Sequence, residues 1–163
     1  MSNQIPEELI GAMTAANRRY QQATDALDQA ACDLFGINRT DARCIDIVLQ
    51  RGQVTAGELA RAAGLSPGAV TTALDRLERA GFARRVRDPE DRRRVLVEPT
   101  DRVTRLAEGV YGPLRESGAG LMGRYSERQL KTIVDFLEGA ADIQLERAHA
   151  VREQVEREGR DTA

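Results

Sequence analysis

Over residues 7–31, Leu9, Ile10, Met13, Tyr20, Ala23 and Leu27 recur at helical spacing, so the pattern predicts one long amphipathic helix. Gly36 interrupts it. Thr40 is placed to cap a second helix with Cys44, Ile45, Val48 and Leu49 as its apolar stripe, and Gly52 ends that helix. The elements then shorten. Thr55-Ala56-Gly57-Glu58 is a capping box, in which the Thr hydroxyl takes a backbone N–H and the Glu reaches back. It opens a short helix that buries Leu59, Ala60 and Ala63, and Gly64 suits the left-handed position that closes it. Ser66 is the next cap, with Pro67 at the first helical position, where a missing N–H costs nothing. Val70, Leu74 and Leu77 form the inner stripe of this third helix, and Gly81 stops it.

Two strand candidates follow, residues 82–87 and 94–98, around the turn cluster Asp88-Pro89-Glu90-Asp91. Thr100 can cap a helix from Asp101 towards Tyr111, and Gly112-Pro113 is expected to kink or break it. Ser126-Glu127-Arg128-Gln129 is a second capping box, starting a long last helix with Leu130, Ile133, Leu137, Ala140, Ala141 and Leu145 on one side. The polar residues 156–163 are expected to fray.

With 163 residues, 41% of them hydrophobic and 31% charged, the chain can bury the core of a single domain and is too apolar to be a disordered tail. Aromatic residues make up 4% and Trp is absent, which argues against a stacking platform for single strands. No apolar run approaches the ~20 residues of a membrane span, and no basic start leads into one. The chain is expected to be cytoplasmic. One histidine, His149, and two cysteines, Cys32 and Cys44, supply neither a metal cluster nor a hydrolase triad, so neither an enzyme nor a cofactor is expected. Both thiols read as small buried hydrophobes.

Charge is uneven. Residues 51–100 hold ten arginines and seven acids, whereas both flanks are net acidic and the whole chain is −2. Six of those arginines, Arg84, Arg85, Arg87, Arg92, Arg93 and Arg94, fall within the candidate hairpin. Six like charges repel one another unless an anion is present, so the hairpin is expected to meet a polyanion. On the third short helix the side away from the apolar stripe carries Gly68, Thr71, Thr72, Asp75, Arg76 and Arg79. Short side chains near a helix start allow approach to base edges, and hydroxyls contact bases or phosphates. Capped helix, turn with Gly64, Pro-started helix and basic hairpin is the order of a winged helix-turn-helix.

The run from Thr55 to Gly81, followed by Arg87-Asp88-Pro89-Glu90-Asp91-Arg92-Arg93, resembles the MarR family of transcription regulators. The resemblance implies a mainly α fold with a small β-hairpin wing: a winged helix-turn-helix core over residues 37–100, and dimerisation helices over 1–35 and 101–155, all in one domain. It implies DNA contacts from Ser66, Gly68, Thr71, Thr72 and Arg76, and a wing in which Asp91 holds Arg93, beside Arg92, for the minor groove. The implied partners are a second copy of the chain, a pseudo-palindromic DNA operator, and a small aromatic or apolar effector that releases a repressor. Long apolar stripes on the first and last helices agree with dimerisation. The alternative is an architectural or protein-interaction winged helix without ligand response. The Pro99-Thr100 stretch departs from the family's usual Leu-Thr, which bears on where the following helix starts.

Overall fold

The computed structural model describes residues 5–161, which divide into two compact units on either side of the Gly112–Pro113 bond. The first unit holds α1 (Glu7–Phe35), α2 (Arg39–Arg51), β1 (Val54–Thr55), α3 (Ala56–Ala63), α4 (Pro67–Arg79), β2 (Ala83–Arg87), β3 (Val95–Pro99) and the beginning of α5 (Asp101–Met122). The second holds the rest of α5 and α6 (Glu127–Asp161). The three strands form an antiparallel sheet in the order β1-β3-β2, with Val54 opposite Val97 and Arg85 opposite Val97 on the other side. β1 is two residues long, too short for any alternation to announce it.

Local chemistry explains most of the boundaries. Thr55 and Glu58 complete their capping box, and the two hydrogen bonds from Thr55 hold the Glu58 carboxyl below its ordinary range. Gly64 sits at φ +64°, a left-handed turn that any Cβ would strain, and its N–H closes α3 on the carbonyls of the last turn. Ser66 accepts from the Ala69 N–H at 3.2 Å with Pro67 at the first position. Thr100 settles the departure from the family pattern: it donates to the Gly81 carbonyl at 2.7 Å, and α5 begins at Asp101.

Three expectations are corrected. The cap of α2 is Asn38, not Thr40, because the Asn38 side chain accepts from the Asp41 N–H at 2.9 Å and draws the helix start back to Arg39. Helix α5 runs through Gly112-Pro113 without a break. Pro113 removes one backbone donor without ending the helix. Residues expected to fray stay helical as far as Asp161, where side-chain pairs one turn apart such as Gln154 with Glu158 support the backbone, while 162–163 lie outside the described residues.

The core lies where α2, α3, α4 and the sheet meet, with Val48, Leu59, Val70, Leu74, Leu77, Phe82, Val97 and Val103 fully buried. Each such side chain contributes about 1.5–3 kcal/mol over exposure. Phe82 packs edge-on to Phe35 at 6.1 Å and carries the Arg102 guanidinium 5.1 Å above its ring. The stripes of the long helices stay outside this core: Leu9, Ile10 and Met13 on α1 and Ile133, Leu137 and Leu145 on α6 are exposed on the single chain. Among the described residues no helix is long and apolar enough to cross a membrane.

Candidate nucleic-acid interface

Helix α4 turns Val70, Ala73, Leu74 and Leu77 inwards, which leaves Ser66, Gly68, Thr71 and Thr72 together on one exposed face. Thr71 and Thr72 each donate to the carbonyl four residues back, Pro67 and Gly68, at 3.0 Å. Their hydroxyl protons are therefore committed to the helix, and they offer lone pairs and methyl groups outwards. The Gly68 N–H belongs to the first turn and has no carbonyl one turn back to bond. Such a face can accept from a base amine, touch a thymine methyl, or donate to a phosphate.

Arg76 does not join that face as a free group. Its guanidinium forks onto Asp41 of α2, Nε to Oδ2 at 2.7 Å and one terminal nitrogen to Oδ1 at 2.6 Å. The cationic end of α4 expected at this position is thus already partnered within the fold.

The six hairpin arginines divide into two sets. Arg84 donates to Glu98 at 2.5 Å, and Gln53 donates to the same carboxylate at 2.6 Å. These two bonds, Gln53 first, hold the Glu98 carboxyl below its usual range. Arg85 reaches back to α4, where it meets Asp75 at 2.9 Å and also Glu78. Arg94 lies 3.7 Å from Asp88. Among the described residues Arg87, Arg92 and Arg93 have no ion-pair partner, and all three are exposed. Mutual repulsion among six charges therefore overstates the case, since three of them neutralise acids of the fold.

The wing tip is ordered by carboxylates acting on the backbone. Buried Asp88 accepts from the N–H groups of Glu90 at 2.8 Å and Asp91 at 3.3 Å. Asp91 accepts from the backbone N–H of Arg93 at 3.0 Å, not from its guanidinium. The expected clamp of Asp91 on the Arg93 side chain is not formed in the free chain, where the carboxylate bonds the Arg93 backbone N–H instead. Asp88 had a signal in the sequence, an acid before proline at a turn; Asp41 had none, because its partner is 35 residues away.

On the far side of α2 is a cavity of about 410 Å³, lined among others by Cys32, Phe35, Arg43, Ile45, Leu49 and Tyr111. Burial pushes the Tyr111 hydroxyl up, and Asp28 and Asp46 add to it. Burial likewise raises the thiols of Cys32 and Cys44, against the pull of nearby arginines, so neither is activated as a thiolate.

Residues 37–95 match the profile described as MarR family. The chain is 38% identical over 136 residues to the uncharacterized HTH-type transcriptional regulator YcgE of Bacillus subtilis, covering 83% of this chain and 88% of that one. The chain belongs to the MarR family. It is a transcription regulator whose winged helix binds DNA, and the family is not one of enzymes. The fold of this MarR-family chain is shared by the S. aureus MepR–DNA complex, with TM-score 0.55 and 20% identity over 77% of this chain and 94% of that one. It is also shared by NadR in complex with 4-hydroxyphenylacetate, with TM-score 0.56 and 22% identity over 86% and 96%.

Proposed function

We propose that this MarR-family chain is a cytoplasmic homodimeric repressor of a pseudo-palindromic operator, released when a small aromatic or apolar acid fills the cavity beside α2. The carrying observation is the split among the hairpin arginines, because among the described residues Arg87, Arg92 and Arg93 are left without an ion-pair partner while α4 exposes a separate face of Gly and Thr. In this reading Thr71 and Thr72 meet base edges, Ser66 and Gly68 meet a phosphate, and Arg92 and Arg93 follow the minor groove, where the potential is most negative. Asp91 serves by ordering the loop.

Dimerisation is supported by the exposed stripes on α1 and α6, which a second copy would cover. A two-fold dimer reads two half-sites about one helical turn apart, ~34–36 Å. Ligand response is supported by the cavity, whose volume of about 410 Å³ falls in the range of small-molecule sites. Phe35 and Tyr111 offer aromatic walls, and Arg43, which has no ion-pair partner among the described residues, offers a cation for a carboxylate. NadR, a protein of the same fold, binds an aromatic acid.

Fluorescence anisotropy with DNA from upstream of the chain's own gene tests the reading. Specific binding that survives competitor DNA and falls on addition of 4-hydroxyphenylacetate or related acids supports it. Equal affinity for operator and scrambled duplex would favour an architectural role.

A further inference from the structure

Asp41 is a carboxylate 2% exposed, placed on the side of α2 away from the cavity and unused by either DNA contact or ligand capture. Three hydrogen bonds satisfy it: two from the Arg76 fork, at 2.6 and 2.7 Å, and one from the Asn38 amide at 3.1 Å. Arg76 lies one turn beyond Thr72 on α4 and keeps about a third of its side chain in solvent. Its neighbour Asp75 takes Arg85 of β2, so one turn of α4 is tied both to α2 and to the wing.

An ion pair of this kind gains little net stability, because both charges give up hydration. A planar fork on a planar carboxylate does fix orientation, in both distance and angle. Apolar contacts of α4 on its neighbours set its depth and its inward face, and the fork adds a polar restraint on its rotation about its own axis. That rotation decides where Thr71 and Thr72 point.

We propose that Arg76 is a positioning residue and not a base-reading one: through its fork on Asp41 it sets the rotation of α4 and hence the aim of the Thr71–Thr72 face. The inference rests on the DNA-binding reading above. It implies that a substitution at Asp41, buried and on another helix, weakens DNA binding as much as one at Arg76 itself.

The test uses the full-length chain and the duplex it selects from a randomised library. Asp41→Asn keeps the shape and removes the charge; Arg76→Lys keeps the charge and removes the fork. Each is expected to weaken operator binding about tenfold, within the ~2- to 150-fold that contacting, coupled pairs show, and the double variant is expected to be no worse than either single one. The preferred base at each operator position and the salt slope should stay those of the wild type. A new base preference in Arg76→Lys, additive losses in the double variant, or wild-type affinity in Asp41→Asn would each overturn the proposal. If Asp41→Asn does not fold by circular dichroism, the base preferences and salt slope of Arg76→Lys decide alone. A wild-type chain that selects no duplex would sink the DNA-binding reading itself, a result distinct from the others.

Discussion

The division of the hairpin arginines into paired and unpaired sets predicts which of them carry the salt dependence of DNA binding. Arg93 is exposed at the wing tip and has no ion-pair partner among the described residues, so its guanidinium is free to exchange solvent ions for a phosphate. If it replaces a counterion on DNA, its loss lowers the slope of log affinity against log salt by about 0.9 for each wing, or about 1.8 for two wings on one operator. The wild type should then exceed Arg93→Ala by about 12-fold more at roughly 50 mM salt than at roughly 200 mM. Arg84 is the control. It is equally cationic and mostly exposed, yet it donates to Glu98 at 2.5 Å and is already neutralised inside the protein. Arg84→Ala should leave the slope unchanged. Anisotropy titrations at four salt concentrations read both. Equal slopes for wild type and Arg93→Ala, or a drop for Arg84→Ala as large as that for Arg93→Ala, would refute the pairing argument.

Asp88→Ala should cost about 1–3 kcal/mol of local order by freeing two backbone N–H groups, so amide exchange in the wing should quicken while the core helices keep their protection. Because the folded pKa of Glu58 lies below its unfolded value, the capping box contributes stability above about pH 4.3 and loses it as pH falls through the lower folded value. Glu58→Gln, which can still accept from Thr55, should lessen the fall in melting temperature as pH drops below about 4.3. Cys32 and Cys44 should resist a thiol reagent at neutral pH until denaturant is added, and changing both to Ser should not alter operator binding; rapid labelling of the native protein would contradict their burial.

What the sequence made legible is what is local. The Thr55–Glu58 and Ser126–Gln129 capping boxes, the Gly64 turn and the Pro67 start each act within about one turn, so residue type and spacing carry them. The inner stripe of α4 was equally readable, because burial follows the helical period. The misplaced cap of α2 shows the limit of such rules: Asn38 and Thr40 are both acceptable caps, and the choice falls to Asn38 because its amide also reaches the Asp41 carboxylate. Pairing across elements was not readable at all. Nothing near Asp41 in the chain names Arg76, and nothing near Glu98 names Gln53, which is 45 residues away. The elements of the candidate site were therefore readable, and the contacts that bear on two side-chain roles, those of Arg76 and Asp91, were not.

Those two roles share a cause that bears on how an acidic chain can face a polyanion. The segment of residues 51–100 has seven acids beside its ten arginines, and acids near phosphates are a liability. In the fold Asp75, Glu78, Asp88 and Glu98 are each engaged by an arginine of the hairpin, and Asp41 is engaged by Arg76. Arginine thus does two jobs that residue counting cannot separate. One set cancels carboxylates and ties α2, α4 and the wing into one body. The other set, left over at the wing, meets solvent with little nearby charge to oppose it except Glu90 and Asp91, whose backbone and carboxylate contacts order the loop. The field that DNA encounters is set by the remainder and not by the total, and this is why a chain of net charge −2 can hold a cationic edge.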